Sequence, residues 1–328
     1  MSLDDRPITA GGIREAAARL DGVVVKTPLI EHPTLNERVG GRVLVKAEVL
    51  QLYGSFKLRG AYNRLSQLTA KERTKGVVAW SSGNHAQGVA YAGKLLGCPV
   101  TIVMPADAPE IKMKNVRALG AAVVTYDRYT DDREVLGHRI ADERGMLLAP
   151  SYDHPLIMEG QGTVGLETFH QAAQIGATLD CFITCCGGGG LTAGCATILE
   201  ELSPKTDIWI AEPEGYDESW ASIRDGKVHV ADVTQPTICD AIATPTPGVL
   251  TFPIMQRLVN GGATITEKEV AEAMRFTFET LKLIVEPGGA VALAAVLSGK
   301  YPAKGKTVAV TLSGGNVDLK SFVSIMER

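Results

Sequence analysis

Residues 76–104 read GVVAWSSGNHAQGVAYAGKLLGCPVTIVM, and this stretch decides the fold. It opens with a short apolar run, Val77–Trp80, rich in β-formers. A polar, glycine-bearing turn follows, Ser81-Ser82-Gly83-Asn84. Ala86–Leu96 then carries small and apolar residues at helical spacing, and Thr101–Met104 is a second apolar run. Strand, turn, helix and strand in about thirty residues form one parallel βαβ unit. Both runs lack polar alternation, so both faces of each strand are expected to be buried, as in parallel sheets.

The same alternation extends in both directions. Strands are predicted over Val43–Lys46, Ala122–Tyr126, Cys181–Thr184, Ile208–Ala211 and Thr307–Leu312. Helices are predicted over Ile13–Leu20, Ile111–Leu119, Asp131–Arg144, Leu191–Leu202, Lys268–Leu281 and Ala290–Leu297. The pattern is that of an α/β protein with mainly parallel sheets flanked by helices. Residues 76–148 form a compact β-α-β-α-β-α-β run, expected to be a small inserted domain. Segments 1–70 and 152–328 then close around a second sheet as the large domain. A chain of 328 residues suits this division, because single cores stop growing near ~250–300 residues.

Composition narrows the function classes. With 45% apolar and 21% charged residues, the chain has the material for a packed core. Its formal net charge of −4 and the lack of a basic patch argue against nucleic acid. No apolar run reaches the ~20 residues that span a bilayer, and no secretory leader is visible in MSLDDRPITA. Cys98, Cys181, Cys185, Cys186, Cys195 and Cys239 include no C-x-x-C pair. They read as reduced, mostly buried thiols of a cytoplasmic protein.

Glycine is the compositional outlier, with 35 residues. Gly187-Gly188-Gly189-Gly190 follows the apolar run Cys181–Thr184 and opens a helix near Leu191. Four glycines exceed what a turn requires. They offer unobstructed backbone amides at a helix N-terminus, which suits a phosphate monoester. Walker A and dinucleotide spacings are absent: Lys300 stands where a Walker glycine before Gly305-Lys306-Thr307 belongs. Lys57, in Ser55-Phe56-Lys57-Leu58-Arg59-Gly60, starts a helical stretch beside the second cation Arg59, a setting that disfavours its ammonium and frees the amine for an imine. A solvated surface lysine is the alternative. Ser82 and Asn84 suit the cap of the next helix, or an anion cradle with an amide donor. Ser313 lies at the C-terminal edge of a buried strand, where α/β folds place ligands.

Read together, these segments resemble the fold type II pyridoxal-phosphate enzymes, in particular the serine/threonine dehydratase (threonine ammonia-lyase) and serine racemase group. The matching stretches are SFKLRGAYNRL (55–65), SSGNHAQG (81–88), GQGTVGLE (160–167), GGGGLTAG (187–194), EPGGAVALAA (286–295) and LSGGNVDL (312–319). They span almost the whole chain in the family's order. The resemblance implies a two-domain, tryptophan synthase beta-like fold and roles for single residues. Lys57 is similar to the lysine that binds pyridoxal 5'-phosphate covalently and later moves the substrate's α-proton. Phe56 resembles the residue packed beside the cofactor ring, Asn84 the partner of its 3-hydroxyl, Gly187 to Gly190 the phosphate cradle, and Ser313 the partner of the ring nitrogen. Ser81, Ser82, Gly83 and His85 fall on the loop that receives the substrate carboxylate. Ser82 also matches the serine that acts on the second face in serine racemases. Glu212, the Tyr216 carbonyl and Glu218 resemble a divalent-cation loop for Mg²⁺ or Ca²⁺, with Glu218 standing where Asp is usual.

The implied activity is conversion of L-threonine or L-serine to a 2-oxo acid and ammonia. Serine racemisation with dehydration, and dehydration of 3-hydroxyaspartate or in hydroxyectoine catabolism, are the alternatives. One departure favours leaving them open: Thr237-Ile238-Cys239-Asp240-Ala241-Ile242 replaces the usual Ala-Asp-Gly of the substrate loop. The family implies a homodimer. The chain stops at Arg328 with no regulatory extension, so no isoleucine feedback is expected. A non-catalytic cofactor-binding relative is the reading from another class, and intact Lys57, Ser313 and glycine loop argue against it.

Overall fold

The computed structural model describes residues 6–108, 110–127 and 129–327, and of Ile111 the backbone alone. Among the described residues, ten strands form two sheets. The larger has six: β1 (Leu29–Glu31), β2 (Arg42–Ala47), β7 (Cys181–Cys185), β8 (Asp207–Pro213), β9 (Gly261–Ile265) and β10 (Thr307–Leu312). Their order is β1-β2-β10-β7-β8-β9, parallel throughout except for β1 against β2. The smaller sheet takes β3 (Val77–Trp80), β4 (Val100–Pro105), β5 (Ala122–Tyr126) and β6 (Leu147–Leu148) in the order β5-β4-β3-β6, all parallel. This is the two-domain α/β architecture expected. No helix among the described residues is long and apolar enough to cross a membrane.

Differences from the pattern reading have local causes. The edge strands β1 and β9 are not singled out by the sequence. β1 is three residues long, and β9 begins Gly261-Gly262, two poor strand formers. The longest helix, Pro155–Gln174, is also hidden, because Gly160, Gly162 and Gly165 lower its propensity. Those glycines face close backbone neighbours on the helices Lys57–Ser66 and Gly190–Leu202. Helix Glu267–Phe276 starts with a Thr266–Glu269 capping box and passes into a π-turn at Thr277–Leu281.

The main core surrounds the six-stranded sheet, and a second surrounds the four-stranded one. Leu58, Ala61 and Leu65 of helix Lys57–Ser66 belong to the second core. Full burial of each leucine contributes roughly 2 kcal/mol. The helix is thereby rooted in one domain while its first residue faces the other. All six cysteines are free and buried, as anticipated. The loops after β3, β7, β8 and β10 leave the C-terminal edges of parallel strands, where such sheets bind ligands.

Candidate active site

Lys57 is the first residue of its helix. The chain reaches it through a strained turn: Tyr53 has φ 59°, stacks on Tyr91 at 4.4 Å, and its carbonyl accepts from Asn316 Nδ2 at 2.7 Å. Ser55 then bridges Gly314 in antiparallel fashion, and the Phe56 amide donates to the Ser313 carbonyl at 3.2 Å. Buried Phe56 and Ser313 thus flank Lys57. The half-buried Lys57 amine donates to the Ser151 carbonyl at 3.0 Å, and its Nζ lies 5.2 Å from the Phe56 ring centre.

Burial pushes the Lys57 pKa down to about 8, against weaker opposing pulls from Cys185 and Glu286. Arg59, which the sequence offers as the cause, is not one: its charge is spent on Glu48 and Glu167. The lowered pKa therefore follows from desolvation, not from a neighbouring cation.

The glycine turn sits across the cleft. Gly189 caps helix Gly190–Leu202 in the left-handed region, φ 90°, which a side chain rarely adopts. The loop carbonyls are tied back: Ser219 Oγ donates to Gly187 O at 3.0 Å, and Thr251 Oγ1 to Gly188 O at 2.6 Å. The first amides of the helix lack intrahelical acceptors and form an anion-binding end. Tyr152, next to Ser151, covers Gly188 and Gly190 and links this loop to Lys57.

Asn84 closes the other side. Its Nδ2 donates to Glu286 Oε1 at 2.5 Å, and its Oδ1 accepts from Asn316 Nδ2 at 2.7 Å. One Nδ2 hydrogen remains for a ligand. Gly314 makes this network possible, since a Cβ there would strike Glu286 Oε1 and crowd Asn84. Burial raises the Glu286 pKa to about 7, although the Asn84 bond opposes it. The capping expectation is corrected here. Gly83 is the N-cap, no side chain caps the helix, and Asn84 is its first residue, with its amide spent across the cleft. Ser82 lies in the loop without a capping bond.

Ser81 Oγ accepts from the Gly83 amide at 3.2 Å and so shapes the turn. The His85 imidazole turns inward to the Ala149 carbonyl, 2.8 Å away, and burial lowers its pKa to about 3. The ring is therefore neutral, and what His85 offers the cleft is its backbone. Glu286, Asn316, Ser151, Tyr152 and Cys185, whose thiol lies against the Ser313 hydroxyl, are site residues that the sequence reading does not single out as such.

At the end of β8, buried Glu212 accepts from the Ser219 and Trp220 amides at 3.2 and 2.7 Å. Glu218 accepts from Thr244 Oγ1 at 3.3 Å, and its buried Oε2 has no partner among the described residues. Burial, then Glu218, drives the Glu212 pKa well up; burial raises that of Glu218 to about 7. The Tyr216 hydroxyl donates to Gln235 O, which leaves only its carbonyl for the expected cation loop. Two desolvated carboxylates with no countercharge fit a hard divalent ion. No third His, Cys, Asp or Glu joins them among the described residues, so carbonyl and water oxygens would complete such a site.

A half-buried amine of lowered pKa, a serine hydroxyl, an amide donor and a glycine-built helix N-terminus suit an aldehyde cofactor that carries a phosphate. The comparisons agree. The family model described as pyridoxal-phosphate dependent enzyme matches residues 20–314, and the chain belongs to that family. It is 42% identical over 313 residues to an L-threo-3-hydroxyaspartate ammonia-lyase of Pseudomonas sp, covering 95% of this chain and 97% of that protein. It is 36% identical over 320 residues to a serine racemase of Schizosaccharomyces pombe, covering 98% of each. Among solved structures, a threonine deaminase from T.th. superposes with a TM-score of 0.90 at 40% identity, over 95% of this chain and 99% of that one.

Proposed function

We propose that the chain is a pyridoxal-phosphate-dependent ammonia-lyase for small β-hydroxy amino acids, with a 3-hydroxyaspartate as its preferred substrate. The observation that carries the chemistry is the Lys57 amine, desolvated and without a carboxylate partner, at the joint of the two domains. The substrate preference rests on the 42% identity to the 3-hydroxyaspartate enzyme and on the altered Cys239-Asp240-Ala241 loop.

Lys57 would hold the cofactor, Gly187 to Gly190 its phosphate, Asn84 its ring hydroxyl and Ser313 its ring nitrogen, with Phe56 beside the ring. When bound, the cofactor supplies an electron sink for charge at the substrate α-carbon. Lys57 Nζ takes the α-proton, which its lowered pKa permits near neutral pH. Ser313 would present the ring nitrogen with a neutral hydroxyl rather than a carboxylate, a setting that suits elimination of the β-hydroxyl. The turn Ser81–Asn84 and the His85 backbone hold the α-carboxylate. Loss of water and hydrolysis of the released enamine give a 2-oxo acid and ammonia. Residues 76–148, whose core also takes in helix Lys57–Ser66, act as the small domain that closes over the substrate against the rest of 1–70 and 152–328. Glu212, the Tyr216 carbonyl and Glu218 would hold Mg²⁺ or Ca²⁺.

The family resemblance implies a homodimer, checked as the mass of two chains by light scattering. A second reading, racemisation alongside elimination, is supported by the relative named serine racemase and by Ser82 on the substrate loop.

The test is 2-oxo acid release by cofactor-saturated protein across L-threo-3-hydroxyaspartate, L-threonine, L-serine and D-serine, with chiral analysis of residual serine. The highest kcat/KM is expected for 3-hydroxyaspartate. A clear preference for L-serine or L-threonine would overturn the substrate assignment, and unchanged serine enantiomers would remove racemisation.

A further inference from the structure

We infer that Lys112 is the side chain that receives the second carboxylate of a dicarboxylic substrate, with Asp240 as its resting counter-ion. This assignment rests on the substrate reading above and deepens it.

Lys112 projects from helix Glu110–Ala118 of the four-stranded domain, and Asp240 opens the short turn Asp240–Ile242 of the six-stranded domain. Their charged atoms are 3.6 Å apart, so the pair bridges the two domains. The turn is part of the cleft wall. Its Ala241 and Ile242 side chains border Gly288, and the Ile242 backbone borders Gly187 of the glycine loop. The charges of Lys112, Asp240 and Lys57 are all felt at the Glu286 carboxyl, which accepts from Asn84. Lys112 therefore stands beside the site, on the domain opposite the glycine loop.

The pair is asymmetric. The Lys112 side chain is 23% exposed and that of Asp240 69%. The lysine is largely covered while the acid stands in water. A pair this long and this wet holds weakly, so Lys112 can change partners at small cost. Asp240 repels an entering second carboxylate, and Lys57 is committed to the α-carbon. Lys112 supplies the compensating charge. Serine and threonine bring only a hydroxymethyl or hydroxyethyl group, which gains nothing from it. One charge at this point thus separates dicarboxylic from neutral β-hydroxy amino acids through a contact that only the former can make.

The experiment compares kcat/KM for L-threo-3-hydroxyaspartate and L-serine in cofactor-loaded wild type, Lys112→Met, Lys112→Arg and Asp240→Asn. The ratio of the two is expected to fall roughly 10- to 100-fold in Lys112→Met, the range of one charge-assisted hydrogen bond, mostly through KM. Lys112→Arg should restore most of the ratio, and Asp240→Asn should raise it. L-serine turnover in the same sample shows that each variant is folded. If both substrates lose equally in Lys112→Met, or if Asp240→Asn lowers the ratio, the role of Lys112 is overturned and the substrate reading stands. If wild type turns over L-serine but leaves 3-hydroxyaspartate untouched, the substrate reading fails and this assignment falls with it.

Discussion

Lys57 and Arg59 stand two residues apart on one helix, and the structure treats their charges in opposite ways. Arg59 is fully buried yet remains a cation: burial opposes its charge, but Glu48 and Glu167 each grip the guanidinium at two points, at 2.7–2.9 Å, and raise its pKa. Lys57 has its pKa lowered by desolvation, because no carboxylate touches its amine to offset that cost. Exposure alone does not predict which group keeps its proton. The partner set does. Where a buried charge is fully paired, it fixes structure, and where it lacks a counter-ion, it is poised for chemistry.

The largest expected effect breaks the Lys57 side of this comparison. Lys57→Ala should lower turnover by roughly 10²- to 10⁴-fold, the scale of a lost general base, and abolish covalent cofactor attachment read by absorbance. Below about pH 8 the apo-protein should lose no stability, because the variant removes a desolvated ammonium. Cofactor loading of apo-protein should accelerate as pH rises through about 8, where the amine becomes neutral. The same titration has a stability sign. The folded-state pKa lies below the ordinary 10.5, so between about 8 and 10.5 the unfolded chain binds more protons. Apo-protein should therefore gain stability with rising pH across that window. Lys57→Ala should flatten the slope, and an unchanged slope would place the titrating group elsewhere.

Arg59 should show the reverse pattern. Arg59→Met leaves buried Glu48 without its ion-pair partner and Glu167 with Lys46 alone, and should cost about 3–5 kcal/mol, measured as a lower urea midpoint. Lys46 does not rescue the cluster, since it is already engaged with Glu167, Gln171 and the Thr27 carbonyl. If Arg59→Met kept its stability but lost activity in proportion to Lys57→Ala, the division between paired and unpaired cations would be wrong.

The uneven legibility of these parts in the sequence has a physical basis. Lys57, Asn84, Gly187–Gly190 and Ser313 each sit where a strand or extended segment meets a turn or helix start, so a few consecutive residues carry their signal. The partners that set their charge come from afar: Glu286 lies 202 residues from Asn84, and Glu167 lies 108 from Arg59. Arg59 reads as a cation pressing on Lys57 until the acids that neutralise it are placed. Glu286 reads as the residue ahead of the helix-starting Pro287, with nothing to mark its bond to Asn84. Secondary structure follows the same rule. β3, β5 and β10 stand at their anticipated bounds because they are dense in β-branched and aromatic residues, whereas β9 and helix Pro155–Gln174 depend on glycines whose value appears only against a neighbour.

Glu212 and Glu218 extend the comparison to anions and give its smallest expected effect. Glu48 is as deeply buried as Glu212, but Arg59 overrides the cost of burial and keeps the Glu48 pKa low. Glu212 has only backbone and hydroxyl donors and another acid beside it, and its pKa goes up. A divalent cation would supply the charge that Arg59 supplies to Glu48. Added Mg²⁺ or Ca²⁺ should raise the melting temperature of chelator-treated holoenzyme by a few degrees, since an ion at 100 times its Kd contributes about 2.7 kcal/mol. Glu218→Gln removes one of the two carboxylate charges that would face the ion and should abolish that increment. The uncharged amide also relieves the repulsion, so the metal-free variant should melt no lower than metal-free wild type. A variant that melts lower without metal, together with a wild type indifferent to both ions, would mean that these acids are held by structure alone and that the rule drawn from Lys57 and Arg59 does not carry over to carboxylates.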